Sequence, residues 1–241
     1  MRIEIVGGLE GATSARGLAV VVDVLRAFTV CAYALAGGAR ESILVTEVED
    51  ALALEQAIPG SIVSAEVDGL PVEGVEISNS PTLLARHDLQ DRTLIQRSSA
   101  GTQGVALAVA GAERVVAASL VVAAATARYV AGFDPALVTI VAMGETSGHL
   151  EDRACAEYIA GLLCGRPSEV GSLLGPLYDS DRYRRISAAE WPGFPPSDLD
   201  LALQPDRFDF AMPVTKEEGR LVVRRSPSPP PLGEGWVGAV G

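Results

Sequence analysis

The chain has 241 residues, 48% of them hydrophobic, which suffices for one large core or a core with a small appendage. Lys+Arg 19 against Asp+Glu 31 leaves a formal net charge of -12, arguing against nucleic acid and anionic membrane as partners. An anionic substrate would have to be held against that field by a local cluster of arginine, backbone N–H groups or metal.

Met1-Arg-Ile-Glu-Ile reads as a first strand near 2–6 and lacks the apolar region of a secretion signal. The glycines that follow, Gly7, Gly8 and Gly11, are the one cluster that could support a nucleotide-cofactor enzyme, but the Gly-x-Gly-x-x-Gly spacing is absent. The segment from Leu18 to Asp23 is the most informative. Five apolar residues run into an aspartate, and a helical pattern with Arg26 in its first turn begins. Such a run reads as a strand buried on both faces of an α/β sheet, whose ligands sit beyond the carboxyl ends of the strands. Asp23 then suits a cation ligand or general base, and Arg26 an anion-binding fork. The segment alone equally accommodates a helix-capping Asp23 and an Arg26 paired with a surface carboxylate.

Further strand-like runs near 42–46, 61–65, 93–96, 114–118 and 137–142 alternate with helical patterns near 25–36, 47–57, 81–86, 103–110, 122–131 and 151–164. The alternation predicts an α/β fold of three layers, α/β/α, with a largely parallel or mixed sheet and a smaller irregular C-terminal portion. Gly37-Gly38 ends the first long helix, Thr46 and Glu49 form a capping box, and Ser80-Pro81 opens another helix. The expected division is a catalytic core over 1–165, an extension over 166–225 packing on it, and a Pro/Gly-rich disordered tail over 226–241. Within the extension, Phe208-Asp-Phe-Ala-Met-Pro-Val and Leu221-Val-Val read as two strands joined by a charged turn at 216–219.

Four loops hold the polar residues that could carry chemistry. Asp23 to Arg26 is the first, and Glu66 ends a strand before a long loop to Asn79-Ser80-Pro81. Ser98-Ser99-Ala100-Gly101-Thr102 lets the backbone approach an anion, although Thr102 also reads as an ordinary helix cap. Glu151 and Asp152 stand together in a first helical turn, where acidic residues also complement the helix dipole. His149 reads as a solvated loop residue, His87 as structural, and Arg97 as an aid to holding a second anionic group. Carboxylates at three strand ends suit an oxygen-ligated Mg²⁺, and Arg26 with the 98–102 loop suits phosphate oxygens. That combination is what metal-assisted phosphoester hydrolysis needs. Cys31, Cys155 and Cys164 form no CxxC pair and no Cys-x5-Arg loop, so they read as reduced thiols of a cytoplasmic protein.

With those motifs in order, the sequence resembles the 2-phosphosulfolactate phosphatase (ComB-like) family. Asp23-Val-Leu-Arg26-Ala-Phe-Thr29, Glu66 with the Gly-Leu-Pro before Glu73-Gly74, Asn79-Ser80-Pro81, Ala100-Gly101-Thr102 and Leu150-Glu151-Asp152 carry the resemblance, over roughly residues 1–165. It implies a Mg²⁺-dependent hydrolase that turns 2-phospho-3-sulfolactate into 3-sulfolactate and phosphate, a step toward coenzyme M. It makes Asp23, Glu66, Glu151 and Asp152 metal ligands or water activators. Arg26, Asn79, Ser80, Ser99, Gly101 and Thr102 become phosphate or substrate binders. Ala100 and Val122 stand where the family commonly has asparagine, which removes hydrogen-bond capacity beside the anion site and bears on which substrate is taken. The expected partner is a small anionic phosphoester, with a homo-oligomer left open. The competing readings are a phosphatase for another small phosphoester and a binding protein that keeps the anion site without turnover.

Overall fold

The computed structural model describes residues 1–144, 148–166 and 169–226. The tail beyond Ser226 and residues 145–147 of the loop before Glu151 lie outside the described residues. The strands are β1 (Arg2–Gly7), β2 (Leu18–Val22), β3 (Glu41–Val45), β4 (Ile62–Val67), β5 (Leu70–Pro71), β6 (Thr93–Arg97), β7 (Arg114–Ala118), β8 (Leu137–Ala142), β9 (Met212–Glu217) and β10 (Arg220–Val223). The helices are α1 (Gly8–Ser14), α2 (Ala27–Ala36), α3 (Val48–Ala57), α4 (Pro81–Leu84), α5 (Gly101–Ala108), α6 (Ala123–Ala131), α7 (Leu150–Leu163), α8 (Val170–Tyr178), α9 (Asp181–Ser187) and α10 (Ser197–Ala202).

They build a three-layer α/β/α architecture on one mixed sheet of order β1-β8-β2-β7-β9-β10-β3-β6-β4-β5. Two parallel blocks, β1-β8-β2-β7 and β3-β6-β4, flank the antiparallel hairpin β9–β10. The last two strands of the described chain therefore complete the middle of the sheet. Their turn matches the expected charged one: Glu218 and Gly219 both take positive φ, as a two-residue hairpin turn requires.

Three antiparallel steps separate the blocks, so their strands run in opposite senses. At about 20–25° of twist per neighbouring pair, the five steps from β2 to β6 rotate the second block by roughly 100–125°. The carboxyl ends of opposed strands can then face one region, and α2 shows what the sheet curls around. Phe28, Cys31, Ala32 and Leu35 of α2 pack with Ala19 and Val21 of the first block. Val30 and Ala34, on its other side, pack with Ile62 and Leu94 of the second. Packed against both blocks, α2 joins them.

The apolar run of β2 is buried at every position, as its composition demands. Leu18, Val20 and Val22 face the cluster of α6 to α10, while Ala19 and Val21 face that of α1, α2 and α5. Gly38 supplies the positive φ after α2, and the Ser80 hydroxyl accepts the Leu83 N–H at the start of α4.

Two local expectations are corrected. The residue capping α3 is Glu47, with no side-chain cap, and Thr46 instead offers its carbonyl to Arg97 and Gln103. The early glycines serve packing: a Cβ on Gly11 would lie 2.9 Å from Val6 Cγ2, so glycine lets α1 settle on β1. No helix among the described residues is long and apolar enough to cross a membrane.

Candidate functional site

A cavity of about 360 Å³ opens beyond the carboxyl ends of β2, β4 and β6, where α2, α5 and α7 begin. Asp23, Arg26, Glu66, Asn79, Ser99 and Asp152 all line it. Four of the expected residues stand behind that wall. The Ser80 hydroxyl donates to Asp198, Thr102 trades hydrogen bonds with Ser98, Gly101 backs Asp23, and Glu151 pairs with Arg182.

Asp23 follows β2 directly, and its Oδ1 accepts the Ala27 N–H at 3.0 Å. The capping reading is thus right for one oxygen. The Gly101 backbone lies against this carboxylate. A Cβ on Gly101 would meet Asp23 Oδ2 at 2.8 Å and Ala27 Cβ at 3.0 Å, so α5 can start here only with glycine. Gly101→Ala is expected to displace the Asp23 carboxylate and cut turnover on the order of 100-fold while the chain stays folded. Steady-state kinetics beside a melting curve would check this, and wild-type turnover would show that Asp23 tolerates the shift.

Asp152, in the first turn of α7, accepts the Val24 N–H at 2.7 Å and the Gly144 N–H at 2.8 Å, tying the ends of β2 and β8. Burial, then the charges of Asp23 and Glu151, push its carboxyl well above the ordinary value. Burial likewise raises Asp23 to about 6, against the Ala27 hydrogen bond, with Glu66 and Glu151 adding repulsion. The chain spends folding free energy to keep these carboxylates together. Glu66 is held differently, accepting the N–H groups of Ser99 and Gly69.

Arg26 is pinned at one corner. Its Nη1 donates to Asp198 Oδ2 at 2.8 Å and to the Gly193 carbonyl at 2.7 Å, and its guanidinium lies 3.9 Å over the Phe194 ring. The expected carboxylate partner exists, but it is fully buried rather than on the surface. Asn79 takes a positive φ and spends its amide on Ser64, Gln96 and Arg97. It shapes the loop.

Arg97 departs from expectation. It donates to the Thr46 carbonyl, the Glu66 carbonyl and the Ser99 hydroxyl, which makes it a loop brace rather than an anion holder. His149 departs too: it lines the cavity, and burial, then Arg182, holds its imidazole below the ordinary value. Sequence reasoning missed Arg182, Trp191 and Phe194 in the wall and Asp198 behind it. Arg182 lies in Asp181-Arg-Tyr-Arg-Arg185, where no spacing marks which arginine faces inward. Burial pushes the Cys31 thiol up to about 12 and Cys155 well above its usual range, so neither is a nucleophile.

Among the described residues, no three His, Cys, Asp or Glu side chains form a ready metal cage. Mg²⁺ does not ask for one, since it keeps several waters and binds through one or two carboxylates plus substrate phosphate. Buried, mutually repelling Asp23 and Asp152 offer only oxygen donors and gain most from a divalent cation between them. The residues fit the ion.

A family model described as 2-phosphosulpholactate phosphatase matches residues 5–190. A Bacillus subtilis (strain 168) protein named "Probable 2-phosphosulfolactate phosphatase" is 34% identical over 167 residues, 68% of this chain and 72% of its own length. A Carboxydothermus hydrogenoformans protein of the same name is 36% identical over 164 residues, 68% of each chain. The cavity's carboxylates, its two arginines and the order of its loops all fall within the matched residues, and the chain belongs to the 2-phosphosulpholactate phosphatase family of phosphoric monoester hydrolases.

Proposed function

We propose that this protein is a Mg²⁺-dependent phosphatase that hydrolyses 2-phospho-3-sulfolactate to 3-sulfolactate and phosphate. The observation that carries the reading is one cavity in which the buried carboxylates Asp23 and Asp152 meet the guanidinium of Arg26. Asp23 and Asp152 would hold the metal, which would supply positive charge against the phosphoryl oxygens. Glu151 is left out of this set because it does not line the cavity.

The chain's own residues do the rest. Arg26 keeps Nε and Nη2 without a protein partner among the described residues, and these can take phosphoryl oxygens as charge spreads over them. A cavity carboxylate takes a proton from the attacking water as the water oxygen bonds to phosphorus. The phosphorus–ester oxygen bond breaks, and that oxygen takes up the proton the carboxylate accepted, leaving as the hydroxyl of 3-sulfolactate. Trp191 and Phe194 put apolar surface around the cation side, which strengthens charge interactions there.

The test is a phosphate-release screen over small sulfonated and carboxylated phosphoesters, with Mg²⁺ and with chelator. Release that is fastest from 2-phospho-3-sulfolactate and needs Mg²⁺ is expected. Faster release from another phosphoester would reassign the substrate. Ligand-dependent thermal stabilisation without any release would make the protein a binding protein instead.

A further inference from the structure

We propose that Arg182 receives the second anionic group of the substrate, the sulfonate or carboxylate that stays on the product, and that Glu151 positions it. This rests on the substrate proposed above and adds a residue outside its phosphate machinery.

Arg182 projects from α9 into the same cavity wall as Arg26. Its Nη1 pairs with Glu151 Oε1, while Nη2 reaches the Leu25 carbonyl only at 3.5 Å. Its Nε is buried with no hydrogen-bond partner, and so is Glu151 Oε2. A guanidinium has five donors in a fixed fork, and a buried unfilled donor is costly. Arg182 is thus fixed from behind at one corner by Glu151 while its side chain lines the cavity beside Arg26. Arg26 is built the same way, with Asp198 as its rear anchor.

Charge counting says what the second fork is for. The phosphoryl group already has Arg26 and a metal held by carboxylates. A second cation in that wall is surplus for a simple phosphoester, because the two guanidiniums repel and Arg182 lowers the proton affinity of Arg26. It is not surplus for a ligand bearing a further anion. The phosphosulfolactate skeleton carries two, a carboxylate and a sulfonate. Glu151, fully buried and turned toward Arg182, acts on the arginine and not on a metal.

The experiment has two independent readouts on the full chain. Calorimetric binding of 3-sulfolactate without Mg²⁺ is compared among wild type, Arg182→Ala, Arg182→Lys and Glu151→Gln, with lactate as the ligand lacking the sulfonate. Losing charge-assisted bonds predicts roughly 10–100-fold weaker sulfolactate binding in Arg182→Ala. Arg182→Lys should recover part of it, since the charge returns without the fork. An effect confined to sulfolactate assigns the sulfonate, and an equal effect on lactate assigns the carboxylate. In turnover, Glu151→Gln should raise KM with kcat and the Mg²⁺ requirement kept, which a lost metal ligand would not allow. Melting curves identify a variant that has merely unfolded, and Arg182→Lys then decides.

Sulfolactate affinity unchanged in folded Arg182 variants would overturn the proposal even if phosphate is released. Arg182-dependent binding with no phosphate release would support it while sinking the phosphatase reading. No binding of sulfolactate by wild type would overturn the Arg182 assignment, while phosphate release alone decides the phosphatase reading.

Discussion

Asp23→Asn is expected to abolish phosphate release and, at the same time, to stabilise the metal-free chain by about 3 kcal/mol at pH 8. The two effects share one cause. Asp23 ionises at 3.8 when unperturbed and at about 6 in the fold, chiefly because it is buried. Between those values the folded chain binds more protons than the unfolded chain, so its stability falls as pH rises. Below about 4 both states are protonated and no penalty exists, and above about 6 the penalty is complete. Asn keeps the amide oxygen that accepts the Ala27 N–H without the buried charge. Urea unfolding in chelator at pH 5 and pH 8 would show it: wild type loses stability from the acidic value, and the variant loses less. Equal pH dependence in both chains would mean that Asp23 is not the strained carboxylate.

Asp198→Ala should be the most damaging single substitution behind the cavity. This fully buried carboxylate takes Arg26 Nη1, the Ser80 hydroxyl at 2.8 Å and the Thr82 N–H at 3.0 Å, so it joins α2, α4 and α10. Removing it leaves the Arg26 charge buried without its counter-ion, a loss of about 3–5 kcal/mol. Turnover should fall as well, because the guanidinium is no longer held against Phe194. Asp198→Asn keeps the shape and acceptor for Ser80 and Thr82, and should cost less stability than Ala while still impairing turnover. Chemical denaturation and kcat/KM on both variants check the order. If Ala proved as stable as wild type, Arg26 would have found another partner, and the pair would not be what fixes it.

Much of the site was written locally in the chain. Leu18 to Val22 reads as a strand covered on both faces, which places Asp23 and Arg26 at its carboxyl end from the pattern alone. Ser80-Pro81 and Gly37-Gly38 marked helix ends through backbone chemistry that needs no tertiary context. What escaped was non-local. That β9 and β10 enter between β7 and β3 depends on pairing over long separations, and nothing in 212–223 states its neighbours. Asp198 and Arg182 escaped for the same reason, their meaning coming only from Arg26 and Glu151, 172 and 31 residues away. Thr46 is not the cap because α3 starts one residue later, with Glu47 at the capping position, while the Thr46 carbonyl accepts from Arg97 and Gln103.

The measurement that bears most directly on the whole account is Mg²⁺ titration by calorimetry into chelator-treated protein, wild type beside Asp152→Asn. One ion per chain is expected in wild type, bound more tightly at pH 8 than at pH 5, with severe weakening in the variant, which lacks one of the two repelling carboxylates. Undiminished Mg²⁺ affinity in a folded Asp152→Asn chain would place the ion elsewhere and contradict the claim that Asp23 and Asp152 are kept together to hold it.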